Sequence, residues 1–154
     1  MPSVKRIKKS AGHTPLLDEQ LCFSLYAASL AMNKVYRKRL RSLGITYLQY
    51  LVLMVLWQQD ALTVTGIGDR LFLDSATLTP LLKRMETQQL ISRTRAVNDE
   101  RQVIIALMPD GSALRKKAAE LNAAVSCATE CSPTEVDGLN QQLIKLRGAL
   151  LLNA

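Results

Sequence analysis

The chain has 154 residues, 48% hydrophobic and 21% charged, a balance that supports one folded domain and argues against disorder. Twenty basic side chains against thirteen acidic ones leave a formal charge of +7, so an anionic partner is expected. One histidine (His13), three cysteines without zinc-ligand spacing (Cys22, Cys127, Cys131) and seven glycines in no phosphate-binding pattern close most routes to an enzyme, and neither a metal nor a cofactor is expected.

Residues 1–16 read as a basic, flexible N-terminal arm in which Lys5, Arg6, Lys8 and Lys9 have no acid nearby. No apolar run of signal-peptide length follows, and the longest one, Tyr50 to Trp57, is far too short to span a bilayer. A cytoplasmic protein with no membrane partner is expected. There, cysteines are more often buried or redox-active thiols than structural disulfides.

Leu21, Leu25, Ala28, Met32 and Val35 alternate spacings of four and three, which predicts one face of a long helix. Asp18 is a good cap for its start and Gly44 a natural stop. The same helix carries an acid-free cluster, Lys34, Arg37, Lys38, Arg39 and Arg41. A second helix is predicted from about Tyr47 to Trp57. Asp60 and Thr63 open a short one with Val64, Ile67 and Leu71. Asp74 or Ser75 caps the next, through Leu78, Leu81, Leu82 and Met85 to about Gln89.

Beyond Leu90 the period changes from helical to alternating. Residues 91–95 (ISRTR) and the β-branched run 102–108 (QVIIALM) flank the turn formers AVNDE, which predicts a hairpin. Pro109 and Asp110 then start a helix with Leu114, Ala118, Leu121, Val125 and Ala128. Ser132-Pro133 breaks it and caps a last helix carrying Val136, Leu139, Leu143, Leu146 and Leu150. From residue 118 onward the charge balance is mildly acidic.

This order predicts a mainly α chain with a small β-hairpin wing, a winged helix-turn-helix at 61–108. Residues 17–154 would form one domain, with the helices of 17–58 and 109–154 as its dimerisation region, because their apolar seams exceed what so small a core can bury. A homodimer also suits a palindromic double-stranded DNA site. Three local features strain the prediction. Phe72 stands at the turn where glycine is common. Gly66 and Gly68 lie inside the short helix at about 1 kcal/mol each relative to alanine. Pro80 falls within the recognition helix, as a tolerated interruption of a helix beginning near Asp74.

Within the winged segment, Ser75, Thr77 and Thr79 offer short hydroxyls to base edges and phosphates, and Lys83, Arg84, Arg93 and Arg95 are placed for phosphates. Arg101 at the hairpin tip suits a narrow minor groove, with Asp99 orienting its guanidinium. Each residue alone also fits a capped helix with a charged face; the ordered set does not. The segment 61–108 carries six basic and five acidic side chains, so long-range attraction must come from the arm or the 34–41 cluster.

The stretch LTPLLKRMETQQLISRTRAVNDERQVIIAL, with the wing signature Asp99-Glu100-Arg101, resembles the core of the MarR-type bacterial repressors. LCFSLYAASLAMNKVYRKRLRSLGITYLQYLVLMVLW is similar to the N-terminal helices of their organic-hydroperoxide-sensing (Ohr repressor) subfamily. The resemblance covers 17–108 closely and the C-terminal helices loosely.

Read from the residues alone, Cys22 is either a small buried hydrophobe or a thiol in a helix's first turn, where the N-terminal partial charge favours thiolate. The apolar neighbours Leu21, Phe23 and Leu25 would give it a cleft suited to lipophilic peroxides. The resemblance implies that Cys22 reacts with organic hydroperoxide and that Tyr36 and Tyr47 hydrogen-bond its sulfur. Tyr36 follows Cys22 by 14 residues, about 21 Å along a helix, so a Tyr36 that touches Cys22 comes from the partner subunit. In the two-cysteine branch a C-terminal cysteine, matched best by Cys127, forms an intersubunit disulfide with the reactive one. Cys131 is the alternative resolver. The reading is therefore a repressor released from DNA by oxidation. Its alternatives are a repressor released by a small lipophilic or aromatic ligand and, from another class, a thiol peroxidase.

Overall fold

The computed structural model describes residues 14–154, so His13 and the basic side chains of the expected arm lie outside the described residues. The chain divides after Lys34 into two units, Met1–Lys34 and Val35–Ala154.

In the first unit a 3-10 turn at Leu17–Glu19 precedes helix α1 (Leu21–Leu40). The expected start at Asp18 is corrected: Asp18 lies inside the 3-10 turn and caps nothing. The amides of Glu19 and Gln20 donate to the carbonyls of Leu16 and Leu17 at 3.2 and 3.1 Å, and Gln20 is extended (φ −86°, ψ 122°). These tight bonds and the extended residue separate the turn from the α-helix, which starts three residues late. None of residues 14–34 is buried, and Leu16, Leu17, Leu21, Tyr26, Leu30 and Met32 are exposed.

The second unit takes up α1 and ends it at a 3-10 turn, Arg41–Leu43, where Gly44 adopts φ 69°. Such a left-handed stop suits glycine. Helix α2 (Tyr47–Gln58) opens on a capping box between Thr46 and Gln49. Then follow β1 (Leu62–Thr63), α3 (Val64–Leu71), α4 (Ser75–Thr87), β2 (Ile91–Arg95), β3 (Val103–Leu107), α5 (Pro109–Ala128) and α6 (Pro133–Leu152). The predicted elements stand within a residue or two. No sequence signal pointed to β1. It is two residues long and pairs antiparallel to β3 (Leu62 opposite Ile105, Thr63 opposite Ile104), giving a sheet of order β1-β3-β2.

The core gathers on α2. Its Val52, Leu53 and Leu56 join Ile67 of α3, Leu78, Leu82 and Met85 of α4, and Ile91 and Ile105 of the sheet, all essentially inaccessible. Each such side chain contributes about 1.5–3 kcal/mol on burial, so α3, α4 and the wing are built around one apolar centre. Gly68 has a packing role there: an added Cβ would stand 2.6 Å from the Leu73 carbonyl oxygen. That contact accounts for a glycine within a helix. Helix α5 adds Leu121 and Val125. Helix α6 starts at a capping box of Ser132 and Glu135 and buries no residue, leaving Leu139, Leu143, Leu150 and Leu151 exposed. Among the described residues no single helix is long and apolar enough to cross a membrane.

Candidate functional site

Helices α3 and α4 meet as a helix-turn-helix. Thr63 caps α3 by accepting from the Gly66 amide at 2.9 Å. The turn is made at Phe72, which takes φ 57° and ψ 39° where glycine is the ordinary occupant. Asp74 caps α4, accepting from the Thr77 amide at 2.7 Å. Bonds from the Thr77 amide and hydroxyl hold its carboxyl below the usual range. Helix α4 then continues through Pro80 to Thr87, the tolerated interruption expected.

Of the three residues expected to face DNA, Thr77 sits in the first turn of α4 with its amide given to Asp74. Ser75 and Thr79, with Arg101 and Gln102, line an open hollow of about 520 Å³ bounded by Thr63–Gly66 and Asp69. The recognition helix and the wing tip therefore share one surface. Lys83 and Arg84 are exposed on α4.

The wing keeps the expected register, from Ile91 opposite Leu107 to Arg95 opposite Val103. At its tip the Asp99 carboxylate accepts from the Arg101 amide and from its Nε, both at 3.1 Å. The Arg101 side chain remains 91% exposed: it is aimed but not consumed. Arg95 is exposed too. Arg93 departs from expectation. Its Nη1 pairs with Glu86 of α4 at 3.2 Å, its side chain is mostly covered, and its buried Nε has no protein partner. The hairpin folds onto α4 and brings these two side chains together, so Arg93 braces the wing where an open phosphate contact was expected.

The three cysteines are free thiols. Cys22 is the second residue of α1 and is exposed. Of the apolar residues expected around it, Leu21 is exposed and Phe23 and Leu25 are half-buried, and none of residues 14–34 is buried. Cys127 is exposed in the last turn of α5. Cys131 is half-buried in the α5–α6 turn, its thiol donating to the Thr129 carbonyl at 3.3 Å.

Tyr36 and Tyr47 are brought together, ring centres 4.7 Å apart. Tyr50, which the sequence reading passed over, joins them at 5.7 Å from Tyr36. It stands one turn after Tyr47 on α2, and that spacing was the available signal. Trp57 continues the aromatic row and donates from Nε1 to the Gly111 carbonyl at 3.0 Å. Burial pushes the Tyr36, Tyr47 and Tyr50 phenols above their ordinary value, so they stay protonated donors at neutral pH.

The family described as transcriptional regulator SarA/Rot matches residues 34–121, more than half the chain. The organic hydroperoxide resistance transcriptional regulator of Bacillus subtilis is 46% identical over 84% of this chain and 88% of its own. Among solved structures, reduced AbfR bound to DNA is 39% identical with a TM-score of 0.74, covering 87% of this chain and 92% of that one. Disulfide-formed AbfR is 41% identical with a TM-score of 0.61, covering 84% and 91%; AbfR is a protein of Staphylococcus epidermidis.

Proposed function

Because the chain belongs to the MarR/SarA family of winged-helix transcriptional regulators, in its organic-hydroperoxide branch, we propose that it is a cytoplasmic, redox-sensing repressor. It binds a palindromic operator as a homodimer when reduced, and releases it when an organic hydroperoxide oxidises Cys22. The observation that carries this reading is Cys22 itself: an exposed thiol in the first turn of α1, in a chain otherwise built to present a recognition helix and a wing. Relatives solved reduced on DNA and in a disulfide form support it.

The chemistry is a two-electron transfer. The Cys22 thiolate attacks the distal peroxide oxygen; an S–O bond forms, the O–O bond breaks, and the alkoxide leaves as the alcohol after taking a proton. The Cys127 thiolate of the partner copy then attacks the sulfur of the Cys22 sulfenic acid; the S–S bond forms, the S–O bond breaks, and hydroxide leaves as water after taking a proton. Tyr36 and Tyr47, protonated and packed together, donate to the Cys22 sulfur; for Tyr36, about 21 Å along the helix from Cys22 of its own chain, that sulfur is the partner copy's. The exposed leucines of α6 and of the segment 16–30 are the surface a second copy covers.

On the DNA side, Ser75 and Thr79 read base edges, Arg101 enters the minor groove as Asp99 holds it, and Lys83, Arg84 and Arg95 take phosphates. The test is a gel shift on an operator selected from random DNA by the reduced protein. Wild type releases it on treatment with tert-butyl hydroperoxide and Cys22→Ser does not. Release from Cys22→Ser as ready as from wild type refutes the reading.

A further inference from the structure

The core of the second unit holds one buried polar side chain among the described residues: Gln49, 1% exposed. A buried amide costs stability unless every polar atom is engaged, and this one is engaged at both ends. Its Oε1 accepts from the Thr46 amide at 2.9 Å. Its Nε2 donates to Oε1 of Gln88 at 2.8 Å, and Nε2 of Gln88 donates to the Gly44 carbonyl at 3.2 Å. The order admits a single orientation of both amides. The Thr46 amide can only donate, so Gln49 must turn its oxygen there and its nitrogen to Gln88. Gln88 must then offer its oxygen inward and its nitrogen to Gly44.

The chain of bonds joins two functional places. Thr46 is the cap of α2, and its neighbour Tyr47 is the first residue of that helix, packed on Tyr36. Gln88 is the C-terminal cap of α4, its backbone N–H donating to the Arg84 and Glu86 carbonyls. The end of the recognition helix is thus tied to the turn that starts the tyrosine-bearing helix. An apolar residue would fill the site of Gln49 at lower desolvation cost, so its amide is there for geometry.

We propose that Gln49 and Gln88 are positioning residues for DNA binding: the bonds Thr46–Gln49–Gln88–Gly44 hold α4 at the angle the operator needs and pass movement of the first turn of α2 to it. The part concerning movement rests on the redox reading above. The part concerning DNA affinity does not, because it acts in the reduced protein.

The test uses Gln88→Met and Gln49→Met, which keep side-chain length, with operator affinity measured for reduced and tert-butyl hydroperoxide-treated protein, thermal melting alongside, and mass spectrometry of Cys22. Gln88 is exposed at its helix end, so Gln88→Met folds even where Gln49→Met does not. The expected result is a loss of about tenfold in reduced-state affinity, the scale of one net hydrogen bond. The extent of Cys22 oxidation and the affinity of the oxidised protein stay at wild-type values, and melting falls by no more than the loss of the Gln49 Nε2 partner costs. The ratio between the two states therefore shrinks. Wild-type affinity in the reduced Gln88→Met protein overturns the proposal. So does an equal fall in both redox states that follows a lowered melting temperature, because that is a structural role only. A wild type that ignores peroxide sinks the redox reading, while the reduced-state measurement still decides whether Gln88 positions α4.

Discussion

The guanidinium carbon of Arg147 lies 4.6 Å from the centre of the Phe72 ring, so the C-terminal helix rests a cation on the turn between the two helices of the helix-turn-helix. Phe72 holds the left-handed conformation at a cost of about 1 kcal/mol relative to glycine, while an exposed cation–π contact returns about 0.5–1 kcal/mol. Phe72→Gly relieves the strain and loses the ring; Phe72→Ala keeps the strain and loses the ring. Urea unfolding is expected to place Phe72→Gly above Phe72→Ala by about 1 kcal/mol. Arg147→Ala is expected to destabilise wild type by about 0.5 kcal/mol and the Phe72→Ala protein by nothing measurable. An equal effect in both backgrounds would show that the contact carries no energy.

At the wing tip the two charged partners have separable roles. Arg101→Ala removes the group proposed above to enter the minor groove, and its expected cost in operator affinity is about 1–3 kcal/mol. Asp99→Ala leaves the cation and removes the acceptor of two 3.1 Å bonds, so it should cost less. Arg101→Ala and the double variant should bind alike, because Asp99 acts only through Arg101. Neither change should move the unfolding midpoint, since exposed ion pairs contribute little. Fluorescence anisotropy on operator DNA distinguishes these cases; an Asp99→Ala defect that persists without Arg101 would contradict the orienting role.

The phenols of half-buried Tyr36 and Tyr47 and of buried Tyr50 give the fold an alkaline limit. Burial raises Tyr36, Tyr47 and Tyr50 above the ordinary 10.0, and Tyr36 is raised further by the two neighbouring rings. In the unfolded chain the same phenols ionise from about pH 10. Between that value and the folded values the unfolded state binds fewer protons than the folded one, so stability is level below about pH 10 and falls as pH rises from there through the folded values. Urea midpoints taken at pH 8 and pH 11 should diverge more for wild type than for Tyr36→Phe. Equal divergence would remove Tyr36 from the buried cluster.

What the sequence disclosed follows from the range of each interaction. Helix α4 was legible because its cap Asp74 and its buried Leu78, Leu81, Leu82 and Met85 lie within thirteen residues of one another, and the wing because its alternation and turn formers are adjacent. The orientation of Arg101 by Asp99 spans two positions and was legible too. Strand β1 was not: two residues carry no period, and Leu62 becomes a strand only because Ile105 arrives beside it. Arg93 was read as an open cation because Glu86 meets it only after the hairpin folds onto α4. The bond between Gln49 and Gln88 joins residues 39 apart, and nothing local to either glutamine marks it. For the thiols, the sequence placed Cys22 in its first turn but not the extended Gln20 that delays that turn.

The choice of resolving cysteine turns on the end of α5. Cys127 is exposed in the helix's last turn. Cys131 lies four residues on, half-buried, with its thiol spent on the Thr129 carbonyl at 3.3 Å and its amide on the Thr129 hydroxyl at 3.3 Å. Between them Glu130 is held at φ 56°. To attack a sulfenic acid, Cys131 must give up its bond and rotate out of a turn that a left-handed residue fixes, whereas Cys127 needs neither step. Peroxide treatment followed by non-reducing electrophoresis should therefore give a reductant-sensitive dimer band from wild type and Cys131→Ala, and none from Cys127→Ala. Peptide mapping of that band should join Cys22 to Cys127, since a disulfide needs Cα atoms within about 7 Å and the exposed end of α5 is the freer of the two to provide it. A dimer band that survives Cys127→Ala and disappears with Cys131→Ala would assign the resolving role to the turn instead.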